Sequence, residues 1–354
     1  MPITFTRSAV IRGITSCVPT RKFDNLADST DFEKEEVEKV VGMAGVKTRH
    51  MADDSLCASD LCLAAAKDLL SALQWPAESI DAAIMVTQTP DYFLPSTVCL
   101  THRDLGLRDG CAAFDVGLGC SGYPYALWLV AMMLQSPGFK RALVLHGETP
   151  TRFANHSDRS VALLFGDAGS ATALEATDDS FGGRWWFDLH TDGSGFHDLI
   201  IPGGGFRDRF PGDRGAHFVQ MNGRSIFNFT IKRIPALIDD TLAAAGLTSE
   251  QVDYFIFHQS NRFIMRHLAK KVGLPEEKTP QTIAEFGSAG GPSIPLTITR
   301  GDLKRPLERD LSLLILGYGV GLSWASALVS LPPAAFLGHV ELESQATAKQ
   351  LIPS

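Results

Sequence analysis

The stretch Ala112-Ala113-Phe114-Asp115-Val116-Gly117-Leu118-Gly119-Cys120-Ser121-Gly122-Tyr123 leads from a short apolar run through a glycine-rich turn into Pro124-Tyr125-Ala126-Leu127-Trp128-Leu129-Val130, which reads as a helix. Strand, tight turn and helix in that order form the elementary unit of a layered α/β protein, whose chemistry gathers at the carboxyl ends of its strands. Cys120 stands at the turn. At a helix start a cysteine meets unpaired backbone N–H groups and the positive end of the helix dipole, both of which favour the thiolate, and flanking glycines leave the sulfur open to a substrate. The alternative is a buried, inert cysteine, and this segment alone supports both readings.

Outward from this unit the chain repeats itself. Ile80-Asp81-Ala82-Ala83-Ile84-Met85-Val86-Thr87-Gln88 and Val252-Asp253-Tyr254-Phe255-Ile256-Phe257-His258-Gln259-Ser260 share an apolar-Asp pair, a strand-like run and a polar end, and they start 172 positions apart. Ala142-Leu143-Val144-Leu145-His146-Gly147 and Ser312-Leu313-Leu314-Ile315-Leu316-Gly317 form a second strand-like pair, 170 positions apart. Two pairs at nearly one offset point to duplicated halves. Continuous apolar strands alternate with helical stretches at 59–73, 123–134 and 229–245, which predicts sheets covered on both faces. The expected division is a half over residues 1–180 with the cysteine, a half over 181–330, and a peripheral tail over 331–354, where Leu331-Pro332-Pro333 ends the periodicity.

The 354 residues suffice for two halves and a large core. With 45% hydrophobic and 20% charged residues and a net charge of -8, the chain has the balance of an ordinary enzyme, and nucleic acid is not an expected partner. Its longest apolar run, 126–134, is too short to span a bilayer, and the first fifteen residues lack a secretory layout. A cytoplasmic location and no membrane association are therefore expected. The six cysteines show neither metal-ligand spacing nor a disulfide-scaffold pattern, so reduced thiols and no metal site are expected.

A partner for Cys120 comes from the second half. His258 ends a buried strand, where it could pair with the sulfur or donate to a substrate oxygen; a purely structural histidine is the alternative. Phe286-Gly287-Ser288-Ala289-Gly290-Gly291-Pro292-Ser293-Ile294-Pro295 is a small-residue loop that lets backbone approach a ligand. Gly317-Tyr318-Gly319-Val320-Gly321 follows an apolar strand and could aim N–H groups at an oxyanion, although tight strand packing explains the glycines as well.

Over residues 8–330 these segments together resemble the β-ketoacyl-acyl-carrier-protein synthase III family of the thiolase-like superfamily. Further motifs in the family's order are Gly45-Val46-Lys47-Thr48-Arg49-His50, Phe165-Gly166-Asp167-Ala168-Gly169-Ser170-Ala171, Met221-Asn222-Gly223-Arg224-Ser225-Ile226-Phe227 and His258-Gln259-Ser260-Asn261. The resemblance implies a five-layered α-β-α-β-α fold of two pseudo-symmetric halves and a homodimer. It implies that Cys120 takes an acyl group from acyl-CoA or an acyl-carrier thioester, and that a malonyl thioester on acyl-carrier protein then loses carbon dioxide and attacks that group. His258 and the residue at Ser288 would stabilise the enolate, backbone N–H groups of Cys120, Gly319 and Val320 would hold the oxyanions, and Arg224 and Asn261 would contact the coenzyme or carrier arm. No permanently bound cofactor is implied.

The sequence departs from the family at Ser288, where asparagine is usual. A serine hydroxyl donates one hydrogen bond from one bond closer to the backbone, which puts decarboxylation in question. Lys39 and Met43 occupy positions where the family often has an adenine-flanking Trp and Arg, and Phe263 stands where a carrier-facing arginine is expected, with Arg262 and Arg266 nearby. A non-decarboxylating acyltransferase of the same fold, using Cys120 and His258, is the nearest alternative; a partner subunit without full activity is a further one. Gly117-Leu118-Gly119-Cys120-Ser121-Gly122 also spells the dinucleotide fingerprint of an NAD-dependent oxidoreductase, but deep in the chain and with the distal acid met only loosely by Glu148. A hydrolase nucleophile elbow fails because Leu118 takes the place of a required glycine.

Overall fold

The computed structural model describes residues 3–6, 9–177, 184–304 and 309–344; the expected boundary at 180 lies outside them. Two sheets repeat one pairing scheme. In the first, Ala82–Val86 runs parallel to Arg141–Glu148 with Ala82 opposite Ala142, and Arg141–Glu148 pairs antiparallel with Ala168–Ala176. In the second, Tyr254–Phe257 runs parallel to Leu311–Gly319 with Tyr254 opposite Leu313, and Leu311–Gly319 turns back antiparallel into Ser323–Leu331. Ala9–Pro19 and Trp185–Thr191 take corresponding places beside the returning strands. The strand pairs that repeat in sequence are thus the ones that pair in space.

The core follows from this doubling. Helix Gly122–Met133 is apolar on nearly every side because it lies between the sheets, where Tyr123, Leu127 and Val130 pack with Ile84 and Val144 of one sheet and Leu313 and Ile315 of the other. Helix Ser293–Arg300 shares this middle layer. Ala58–Leu73 covers the outer face of the first sheet, and Gly223–Ala245 with Arg262–Lys271 covers that of the second. The result is the layered α-β-α-β-α order, with the nucleophile turn at the carboxyl end of Ala112–Val116.

Both termini cross between the halves, which corrects the expected tail. Phe336–Leu342 is a strand running parallel to Ala9–Pro19, with His339 opposite Ser16 and its Nδ1 2.8 Å from the Ser16 hydroxyl. It covers the edge that Ala9–Pro19 would otherwise expose. Thr4–Thr6 in turn joins the second sheet beside Trp185–Thr191. The C-terminal strand has no alternating pattern because nearly all its residues are half-buried on either face. Residues 345–354 of that tail lie outside the described residues.

Candidate active site

Cys120 sits between Ala112–Val116 and helix Gly122–Met133, and the second sheet closes over it. A Cβ at Gly317 would lie 2.7 Å from the Cys120 carbonyl oxygen, and one at Gly319 2.9 Å from Cys120 Cβ and 3.0 Å from its sulfur. Both positions therefore require glycine by close approach. The Ser121 hydroxyl is 2.6 Å from that of Ser323, which donates to the Val320 carbonyl at 2.8 Å. This chain fixes the Gly319–Gly321 turn over the sulfur, where the backbone N–H groups of Val320 and of Cys120 itself favour the charged form.

The expectation of a resting thiolate is overturned. Burial pushes the Cys120 thiol up to about 12; Glu148 adds to the rise, and the Val320 and Cys120 N–H groups offset only part of it. Desolvation of the charged form outweighs the helix start. Burial thus favours the thiol form of Cys120, and removing its proton requires an acceptor.

His258 supplies a neutral imidazole. Its backbone N–H donates to the Leu316 carbonyl at 2.8 Å, which places it one residue along from Gly317, the glycine packed on the Cys120 backbone. Tyr318 meets the imidazole edge to face at 5.7 Å, and the Ser293 hydroxyl lies 3.0 Å from Nδ1. Burial lowers its pKa to about 4, against the Gly290 carbonyl, which favours the protonated form.

A cavity of about 260 Å³ opens beside Cys120. Its walls are mainly apolar, with Phe153, Phe165, Leu199, Ile201 and Val219 facing Gln88 and Glu148. An elongated apolar group attached to the sulfur would be desolvated there. Glu148 accepts from the Gln88 N–H at 2.8 Å and the Thr89 hydroxyl at 3.0 Å, yet burial still raises its carboxyl to about 8. Sequence reasoning gave Glu148 no role here; an acid ending a buried strand was the available signal.

Ser288 is buried, its N–H donating to Leu164 O at 2.9 Å and its carbonyl accepting from the Gly166 N–H at 3.2 Å, so the small-residue loop is tied to the segment before Ala168–Ala176. Gly290 of the same loop reaches the cavity. Asn261 caps helix Arg262–Lys271, its side chain accepting from the Ile264 N–H at 2.8 Å, and Arg224 is exposed in the first turn of Gly223–Ala245. No group of side chains suited to hold a metal ion occurs among the described residues.

Family models described as 3-oxoacyl-(acyl-carrier-protein) synthase III and its C-terminal part match residues 114–193 and 242–331. The β-ketoacyl-(acyl-carrier-protein) synthase III of Neisseria gonorrhoeae strain NCCP11945 is 33% identical over 323 residues, 91% of this chain and 98% of that protein. The chain belongs to the β-ketoacyl-(acyl-carrier-protein) synthase III family. Among solved structures, a 3-oxoacyl-(acyl-carrier-protein) synthase from Burkholderia xenovorans LB400 superposes with a TM-score of 0.91 at 42% identity, covering 96% of this chain and 99% of that one. The priming β-ketosynthase of the R1128 polyketide pathway gives 0.81 at 25% identity, over 93% and 98%. The synthase III fold and membership identify a condensing enzyme and set aside the dinucleotide reading of Gly117–Gly122, where a Cβ at Gly117 would meet no atom within 4 Å.

A further buried residue of this synthase III was not legible in the sequence. His146 ends up fully buried between helix Gly122–Met133 and the small-residue loop, stacked on Tyr123 at 6.3 Å, with burial and the nearby His258 lowering its pKa to about 3. In sequence it was one polar letter in a strand.

Proposed function

We propose that this synthase III is an acyltransferase that loads an acyl group from acyl-CoA or an acyl-carrier thioester onto Cys120 and condenses it with a malonyl thioester on acyl-carrier protein. The observation that carries the reading is the close approach of the Gly319–Val320 turn to the Cys120 sulfur beside an apolar cavity. As Cys120 attacks the thioester carbon, neutral His258 takes the thiol proton and returns it to the departing thiolate. The Val320 and Cys120 N–H groups hold the oxygen of the tetrahedral intermediate, each such donor being worth roughly 10²- to 10³-fold in rate. In the second stage the malonyl C–C bond breaks to release carbon dioxide, and the enolate oxygen is held by His258 and Ser288. The enolate carbon then attacks the Cys120 thioester and expels the sulfur as a thiolate, which takes up a proton from solvent water and returns to the thiol.

Arg224 and Asn261 belong to this proposal as contacts of the coenzyme or carrier arm. The implied homodimer finds support in the half-exposed edge strand Ala112–Val116, and a cytoplasmic location in six cysteines that are all free. No helix among the described residues is long and apolar enough to cross a membrane. The test is to supply acyl-CoA and carboxyl-labelled malonyl-carrier protein and follow products. Ketoacyl-carrier and carbon dioxide in equal amounts are expected; acyl transfer without carbon dioxide would replace condensation by the non-decarboxylating alternative that Ser288 motivates.

A further inference from the structure

The buried partner of His258 is the first residue of the middle-layer helix Ser293–Arg300. Ser293 is 1% exposed, so water does not compete for its hydroxyl. Its oxygen lies 3.0 Å from His258 Nδ1 and 3.1 Å from the backbone nitrogen of Gln259. The Gln259 N–H can only donate, so it occupies one lone pair of the hydroxyl oxygen and leaves one lone pair and the O–H for the imidazole. The direction of that N–H is fixed, because the Gln259 side chain donates to the Phe257 carbonyl at 2.9 Å and accepts from the Thr282 N–H at 3.0 Å. Ser293 is fixed too, its carbonyl accepting from the Thr297 hydroxyl at 2.8 Å.

The two stages of the reaction ask opposite things of one ring. Acylation needs an imidazole that accepts a proton on the side facing the substrate, with Nδ1 protonated. Enolate formation needs an N–H donor on that side, with Nδ1 bare in the neutral ring. The Gly290 carbonyl, which also bonds the ring, only accepts and so serves a ring N–H alone. A hydroxyl serves either form by rotation about its C–O bond.

We infer that Ser293 is a positioning residue for the reaction, its hydroxyl accepting from protonated Nδ1 during acylation and donating to bare Nδ1 during condensation, the ring having given its Nδ1 proton to solvent water and taken one from water on the opposite nitrogen while coenzyme and carrier substrates exchange. The inference rests on the role proposed for His258. The residue acts through His258 and touches no reacting atom.

The test compares wild type, Ser293→Ala, Ser293→Cys and His258→Ala. Ser293→Cys keeps the size of the side chain but has a weak donor and acceptor, and it guards against misfolding in the alanine variant. Single-turnover condensation should fall roughly 10- to 100-fold in both Ser293 variants, less than the roughly 10²- to 10³-fold of a lost oxyanion donor because Ser293 acts through the ring, with KM for the malonyl thioester within about twofold. The ¹⁵N shifts of the His258 ring should move in both variants, reporting a changed tautomer ratio. Wild-type rates in Ser293→Cys, or lost rate with unchanged ¹⁵N shifts, would overturn the inference, since the residue would then act through packing or not at all. Full activity in His258→Ala would instead remove the reading of His258 on which it rests.

Discussion

The hydroxyls of Ser121 and Ser323 lie 2.6 Å apart and join the Cys120 turn of the first half to the Gly319–Gly321 turn of the second. Because Ser323 donates to the Val320 carbonyl, Ser121 is the donor in this pair. The placement of the Val320 turn beside the sulfur thus depends on a hydroxyl 199 positions earlier in the chain.

Ser121→Ala and Ser323→Ala should each destabilise the protein by about 1 kcal/mol, the cost of one buried hydrogen bond, and slow acylation of Cys120 more than they lower the thermal midpoint. The double variant should be little worse than either single one, since both break one chain. Rapid-quench acylation and thermal unfolding measure the two effects; additive losses in rate would contradict the linkage.

His258→Ala should slow acylation at neutral pH, because the Cys120 thiol then lacks its acceptor. With that thiol near 12, the fraction ionised rises about tenfold per pH unit below it, so the residual acylation rate should climb log-linearly from pH 7 to 10. Condensation should stay lost throughout. A flat acylation profile in the variant would show that the proton goes elsewhere.

Under the proposed mechanism Ser288 shares the enolate oxygen with His258. Ser288→Ala should slow release of labelled carbon dioxide from malonyl-carrier protein roughly 10²-fold while leaving acylation nearly intact, and Ser288→Asn should match or exceed wild type. Unchanged release in Ser288→Ala would leave His258 as the main side-chain donor to the enolate.

What the sequence shows and hides here has a physical pattern. Cys120 and the doubled strands are legible because a strand, a glycine turn and a helix are local, and because duplicated apolar runs keep their offset. Ser293, His146 and Glu148 are not, because a buried polar side chain acquires meaning only from partners that the fold brings from elsewhere, as when Ser293 meets a ring 35 positions away. The strand Phe336–Leu342 escaped for the same reason: its hydrogen-bonding neighbour begins more than 300 residues earlier. The state of the Cys120 thiol shows the converse, a local effect of the helix start outweighed by desolvation contributed by the whole site.

Glu148 links stability to pH. Its carboxyl is raised from 4.5 to about 8 in the folded chain, so the folded state holds this proton more tightly than the unfolded one. Its contribution is fully present below about pH 4.5 and is lost as pH rises to about 8. Asp167, raised to about 6, acts in the same direction over a lower window. Glu148→Gln should therefore flatten part of the fall in thermal midpoint between pH 5 and 8, measured by scanning calorimetry in matched buffers. An unchanged slope would show that the carboxyl is already ionised in the folded enzyme.

The central claim is that the acyl group is carried on Cys120. Intact-protein mass spectrometry of wild type and Cys120→Ala after exposure to acyl-CoA, with peptide mapping and a chase by malonyl-carrier protein, tests it most directly. Wild type should gain one acyl mass, mapped to the peptide containing Cys120, and lose it on the chase, while Cys120→Ala gains none. The same adduct on Cys120→Ala, or a wild-type adduct mapped to the exposed Cys99, would contradict the account.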